Sequence, residues 1–148
     1  MSTEDDIDLQ MRRQAARFQR VRDAHQTEVA EDYVELIADL IDRSGEARVV
    51  ELANCLGVSN ATVNNTVQRL QRDGLVTSKP YRSIFLTDEG RGLARRARRR
   101  HRLVRDFLMA LGVDAETAEA DAEGIEHHVS EATLRAFRAH LRPPHGDR

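Results

Sequence analysis

The segment from Ala47 to Thr87, "ARVVELANCLGVSNATVNNTVQRLQRDGLVTSKPYRSIFLT", restricts the fold more than any other part of this chain. Two short amphipathic helical patterns meet across Gly57-Val58, and Ser59 is a favourable N-cap for the second. Ala53 is small where the two helices must cross closely, while Val63, Val67 and Leu70 recur at the helical period as an inward stripe. Gly74 ends the second helix and Leu75-Val76 opens a strand. Turn residues around Lys79-Pro80 then precede the alternation of Ile84 and Leu86. Helix, turn, helix and a two-stranded wing is the layout of a winged helix-turn-helix.

The flanking sequence is almost wholly helical in pattern. Residues 1–26 are polar and of mixed charge with a thin apolar stripe, and they read as an N-terminal arm, partly helical or mobile. From Thr27 the apolar residues Val29, Tyr33, Leu36, Ile37, Leu40 and Ile41 repeat with the helical period, ending near Ser44-Gly45. Thr87 caps a long helix to about Leu111, Asp114 caps another through His128, and Ser130 caps a last one. The expected fold is mainly α. A winged helix-turn-helix domain over 27–90, with a small β-hairpin wing, precedes an all-helical domain over 91–141 and a frayed tail at 142–148.

Charge is segregated along the chain. The formal net charge of −2 conceals eight arginines within 91–105 and seven acids without a base within 114–131. Such a chain can show a basic surface to DNA and an acidic pocket to a cation. The arginine run has a plainer reading, as a solvated face paired with acids of neighbouring helices. The one cysteine, Cys55, excludes an internal disulfide and any multi-cysteine zinc site, which fits a reducing cytoplasmic setting. No apolar run approaches the roughly 18–20 residues that span a bilayer, and the acidic start "MSTEDDIDLQ" does not read as a signal peptide.

Two constellations carry chemistry. In a helix-turn-helix the start of the second helix enters the major groove, so Asn60, Thr62, Asn64 and Asn65 are placed to meet base edges. Lys79 and Arg82 in the wing are placed for phosphates. The outward asparagines and basic wing favour DNA over a protein–protein winged helix. The second constellation is "AEGIEHHVS" at 122–130, where Glu123, Glu126 and His127 stand at i, i+3 and i+4 on one helical face. Asp32 and Glu35 project together from the first helix, and His101 falls on the apolar stripe of the long helix with Ala97, Val104 and Leu108. Each group alone is ordinary: a lone histidine there is usually a core residue, and the carboxylates could pair with arginines. Four carboxylates and two imidazoles cannot share one pocket without repulsion unless cations sit among them. Carboxylate-rich ligation without thiolate suits a harder ion such as Mn²⁺ or Fe²⁺. Both histidines must be neutral to coordinate, so affinity should fall below about pH 6.5.

"EDYVELI", "ARVVELANCLGVSNATV", "YRSIFLTDEG" and "DAEGIEHHVS" together resemble the diphtheria-toxin-repressor family of metalloregulators, closest to its manganese transport regulator branch. The resemblance runs in order over about residues 28–141. It implies that Asp32, Glu35, His101, Glu123, Glu126 and His127 are the metal ligands of a binuclear Mn²⁺ site, two ions per subunit, with Glu35 and Glu126 bridging. Asp32, His101 and Glu123 would complete one site, and His127 the other. His128 has no ligand role in that pattern. Iron-responsive relatives carry Met and Cys where this chain has Asp32 and Glu123, which points to manganese. The resemblance further implies a homodimer that represses manganese-transport genes from palindromic operator DNA, with no enzymatic activity, membrane association or small organic substrate. Two rivals remain. A metal-independent winged-helix repressor would use the same residues as an ion-paired surface. A di-metal carboxylate enzyme would need Glu-x-x-His, but Gly124 and Ile125 stand three residues before His127 and His128.

Overall fold

Residues 3–44 contain neither glycine nor proline, and in the computed structural model, which describes residues 3–79 and 82–142, they form a single helix, α1, Thr3–Ser44. The arm expected over 1–26 is therefore helical from Thr3 and runs without a break into the segment expected to begin at Thr27. Acids Glu4, Asp5 and Asp6 in the first turn suit the helix dipole, and Asp8–Arg12 at 2.9 Å supplies an i,i+4 pair. The first interruption is Gly45, which adopts φ +82.

Helices α2 (Val49–Leu56) and α3 (Asn60–Arg72) follow, joined through Gly57 in the left-handed conformation at φ 67. Ser59 caps α3 by accepting from the Thr62 backbone N–H. Strands β1 (Val76–Thr77) and β2 (Phe85–Leu86) pair antiparallel, with Val76 opposite Leu86. The wing is also fixed at its root. Ile84 N–H donates to the Ala47 carbonyl at 2.8 Å, an isolated bridge that ties β2 to the start of α2. Pro80, expected in the wing turn, and the tail 143–148 lie outside the described residues.

Helix α4 (Asp88–Ala110), α5 (Ala115–Ile125) and α6 (Glu131–Leu141) complete the chain, capped by Thr87, Asp114 and Ser130 as their sequence positions require. One expectation is corrected here. The helix expected to run through His128 ends at Ile125, and Glu126–His128 forms a 3-10 turn. That turn advances each residue by about 120° instead of 100°, which fans the last three side chains more widely.

Two apolar cores result. The first joins Tyr33, Val34 and Ile37 of α1 to Leu52, Val63, Val67, Leu70, Val76, Ile84 and Leu86. The second gathers Val104, Ala122 and Leu134, with Leu103, Leu108, Val129 and Phe137 packed against it. Phe107 and Phe137 stack with ring centroids 3.9 Å apart. Between the cores lies a polar seam where α1, α4, α5 and the 3-10 turn meet.

The wing and α4 touch backbone to backbone at Gly90. A Cβ there would stand 2.0 Å from the Leu75 carbonyl oxygen, whereas one at Gly124 meets nothing within 4 Å. Gly90→Ala should therefore cost about 1–3 kcal/mol. Gly124→Ala should be neutral or stabilising by up to about 1 kcal/mol. Urea unfolding midpoints of the two variants, at unchanged slope, check the contrast.

Candidate metal centre

Helical spacing sets the donors of the seam. On α1, Glu28, Asp32 and Glu35 are one turn apart in succession, with Glu31 beside them. His101 projects from the buried stripe of α4, between Ala97 and Val104. Glu119 and Glu123 lie one turn apart on α5, and the 3-10 turn directs Glu126 and His127 inward, both buried. His128 is thrown outward to the exposed surface, where its Nε2 lies 3.1 Å from Glu28 Oε2.

The six residues expected as ligands converge here. His127 Nε2 lies 3.2 Å from both Asp32 Oδ1 and Glu126 Oε1, and Glu126 Oε1 lies 3.9 Å from His101 Nδ1. His101 Nδ1 is also 3.5 Å from Glu123 Oε1. Glu126 thus stands between the two imidazoles. Two donor groups, Glu28–Asp32–His127 and His101–Glu119–Glu123, each place their ligand atoms within 4.8 Å of one another.

Three participants were missed in the sequence. Glu31 Oε2 accepts from the His127 Nδ1–H at 2.6 Å, and the carboxylate also pairs with Arg100. This leaves His127 Nε2 aimed at the seam, the arrangement by which a carboxylate orients a metal-binding histidine. Glu119 holds His101 the same way, Oε1 to Nε2 at 2.6 Å. Glu28 anchors His128. Each lies one turn, or one residue, from an expected ligand, but acids on helices are too common for that spacing to single them out.

The electrostatics are those of a site short of positive charge. Glu35 Oε1, both oxygens of Glu126, His101 Nδ1 and His127 Nε2 are buried without a hydrogen bond of good geometry. Such orphaned atoms are costly in a folded protein and rarely cluster without reason. Burial, then the charges of Glu123 and Asp32, push the Glu35 carboxyl up to about 7. Burial and the Glu35 charge push Glu126 up to about 8. Burial pulls the His127 imidazolium down, but hydrogen bonds to Asp32 and Glu31, with the Glu126 charge, outweigh it and hold the group at about 10. Oxygen and imidazole donors facing one space, with the Glu35 and Glu126 carboxyls holding protons near neutrality, fit one or two divalent cations of the harder kind. Proton competition thus extends above the 6.5 expected from the histidines alone: Glu35 holds its proton to about 7, Glu126 to about 8 and His127 to about 10.

Half of the arginine run of α4 is paired with acids: Arg91 with Asp88, Arg98 with Asp39, Arg100 with Glu31, and Arg105 lies 3.5 Å from Glu119. The residues expected to face DNA lie elsewhere. Asn60, Thr62, Asn64 and Asn65 are all exposed on α3. A groove of about 780 Å³ between α3 and the wing is lined by Asn60, Asn64, Lys79 and Arg82, together with Arg48, Gln68 and Gln71. Thr62 Oγ1 instead lies 3.0 Å from Ser59 Oγ within the helix cap, and neither Thr62 nor Asn65 lines the groove.

A sign follows for stability against pH. Glu35 and Glu126 have folded values above their ordinary 4.5, and His127 above its 6.5. All three therefore favour the fold most at low pH, and that contribution is lost as pH rises through about 7, 8 and 10. Metal-free protein should show a falling Tm between about pH 6 and 9. Glu126→Gln should flatten that fall, and saturating Mn²⁺ should reverse it, with proton release on binding measurable by calorimetry in buffers of different ionisation enthalpy.

Comparison with known proteins points one way. Residues 25–84 match the model of the iron-dependent repressor N-terminal DNA-binding domain, and residues 87–148 that of the iron-dependent repressor metal-binding and dimerisation domain. The transcriptional regulator MntR of Escherichia coli O6:H1 (strain CFT073) is 54% identical over 121 residues, covering 82% of this chain and 78% of the relative. The HTH-type transcriptional regulator MntR of Bacillus subtilis (strain 168) is 42% identical over 100 residues, covering 68% and 70%. Among solved structures, a manganese-dependent transcriptional repressor in complex with manganese superposes with TM-score 0.66 at 33% identity, over 80% of this chain and 56% of that one. The manganese regulator SloR gives TM-score 0.65 at 31% identity, over 76% and 53%. The chain thus spans only about half the length of those two solved chains.

Proposed function

The chain belongs to the iron-dependent repressor family, and from that membership we propose that it is a manganese-responsive transcriptional repressor of manganese-transport genes. The observation that carries the reading is the cluster of buried, unpaired oxygen and imidazole atoms at the seam between the DNA-binding and dimerisation segments. A metal-independent repressor with an ion-paired surface would have no use for it. No helix among the described residues is long and apolar enough to cross a membrane, and we place the protein in the cytoplasm.

Asp32 and Glu35 come from α1, whose next turns belong to the first core, whereas His101, Glu123, Glu126 and His127 belong to the helical segment. A divalent cation supplies the positive charge that lets these carboxylates ionise together. Glu126, between His101 and His127, and Glu35 beside it would be the ligands shared by two ions; Asp32, His101 and Glu123 would complete the holding of one, and His127 of the other. Glu31 and Arg100 hold the His127 ring so that Nε2 faces the seam, and Glu119 holds His101. With both halves satisfied, α1 is clamped to α4 and to the 3-10 turn, and the winged domain is held at one angle to the dimer. In a two-fold dimer that angle sets the separation of the two α3 helices, which must match half-sites of a palindromic operator. Asn60 and Asn64 read base edges, with Thr62 and Asn65 beside them, while Lys79 and Arg82 contact phosphates. Asp32 and Glu123, hard oxygen donors, favour Mn²⁺ over Fe²⁺, which remains a weaker activator.

Mn²⁺ should tighten operator binding at least tenfold relative to chelator-treated protein, about 1.4 kcal/mol of coupling, read by fluorescence anisotropy. Equal affinity in the two conditions would restore the metal-independent rival. Selectivity is tested separately. Asp32→Met combined with Glu123→Cys should raise activation by Fe²⁺ relative to Mn²⁺ at saturating metal under anaerobic conditions. A double variant that keeps the original preference would show that these two side chains do not set it.

A further inference from the structure

The first half of α1 takes no part in either core or in the donor cluster. Over residues 3–26 only Ala24 is even half-buried, yet Ile7, Met11, Phe18 and Val21 are 53–64% exposed. These four follow one another at steps of 4, 7 and 3, so they form one stripe along the helix. The segment projects about 36 Å at 1.5 Å per residue. A helix in a protein draws most of its stability from packing its apolar face, and here that face is uncovered.

Its charges show what covers it. Residues 3–11 hold four acids and no base, whereas 12–22, "RRQAARFQRVR", hold five arginines and no acid. Asp8 has its local partner in Arg12, but among the described residues Arg13, Arg17 and Arg20 have no ion-pair partner. The apolar stripe is also nearly symmetric about Gln14, since Ile7 and Val21 lie equally far from it and Met11 and Phe18 almost so.

We infer that this helix pairs antiparallel with the same helix of a second copy of the chain, a contact additional to that of the dimerisation domain. Antiparallel alignment about Gln14 sets the acidic end of each helix against the arginines of the other and brings Ile7 over Val21. It is self-complementary, as a two-fold interface must be. A parallel pair would oppose acid to acid and arginine to arginine. Duplex DNA would find five arginines attractive but would be repelled by the acidic tip, and it has no use for the apolar stripe. The contact lets repressor dimers associate with one another, or locks the two arms of one dimer. Either way, it depends on these residues and on no metal.

Site-directed cross-linking of the full-length chain tests this, in a Cys55→Ser background, with a short bismaleimide and denaturing electrophoresis. Gln14→Cys lies at the two-fold axis and should yield covalent dimer. Ile7→Cys and Val21→Cys should each yield at least fivefold less alone, but should cross-link to each other when the two proteins are mixed. Adding Phe18→Asp, an exposed position that should leave the melting temperature unchanged, should reduce the Gln14→Cys product at least fivefold. Three results would overturn the inference. One is Gln14→Cys product no greater than that of Glu116→Cys, an exposed position remote from the arm. Another is self-linking of Ile7→Cys equal to that of Gln14→Cys, which would mean a parallel pair. The third is Arg17→Glu with Arg20→Glu weakening operator binding while the Gln14→Cys product is unchanged, which would make the arm a DNA contact.

Discussion

Glu126 is 1% exposed, and neither of its carboxylate oxygens has a hydrogen-bond partner. Burying such a group as an anion costs several kcal/mol unless positive charge meets it, so it either keeps a proton or acquires a cation. Every other feature of the seam follows from that alternative. Glu35, close enough to raise it further, shares its difficulty, and the two histidines face the same space from α4 and from the 3-10 turn. The protein tolerates the cost because the two apolar cores on either side hold the donors where relaxation into solvent would break packing. A strained apo state of this kind gives a ligand something to relieve, which is the thermodynamic requirement for a switch.

The single helix α1 makes that local relief a long-range event. Its turns carry, in order, the exposed amphipathic arm, the donors Glu28 to Glu35, and the core residues Tyr33, Val34 and Ile37. Asp32 and Tyr33 are neighbours in the chain, so a change in how α1 sits against α4 is felt directly by the core on which α2, α3 and the wing rest. The wing has its own fastening, through the Ala47–Ile84 bridge and the close approach of Gly90 to Leu75. The helix α3 and the wing are therefore fastened into one unit, and in the proposed mechanism the donors decide its angle.

Glu31, Arg100 and Glu119 illustrate how a site is built beyond its ligands. Arg100 neutralises the one fully buried carboxylate that faces the ring nitrogen turned away from the seam, and burial alone would otherwise have raised Glu31. Glu31 is held well below the usual carboxylate range by His127 and Arg100 and stays charged, while Glu35 and Glu126 are held above it. Carboxylates one turn apart on α1 thus differ in purpose: Glu31 stays ionised and orients a ring, while Glu35, like Glu126 of the 3-10 turn, keeps a proton that a cation could replace.

Most of the fold was legible in the chain itself. Ser59, Thr87, Asp114 and Ser130 announced helix starts because a hydroxyl or carboxylate there satisfies orphan N–H groups, and each does so. The stripe Val63, Val67, Leu70 and the alternation of Ile84 and Leu86 were readable because burial imposes a period on sequence. Asp32, Glu35, Glu123, Glu126 and His127 stood out in "EDYVE" and "EGIEHH" and His101 on the stripe of α4, but it was the family resemblance that implied them as one ligand set. Other features were decided only in three dimensions. Polar residues at 1–26 suggested an arm, partly helical or mobile, but nothing from Thr3 onward breaks a helix, and α1 begins there and continues to Ser44. The switch to a 3-10 turn at Glu126 reflects packing against α1 and α4, which no local propensity encodes. The roles of Glu31, Glu119 and Arg100 depend on contacts across separations such as the 96 residues between Glu31 and His127. Periodicity reports which face of an element is buried; only tertiary packing brings donors from four elements within a few ångströms and leaves them short of positive charge.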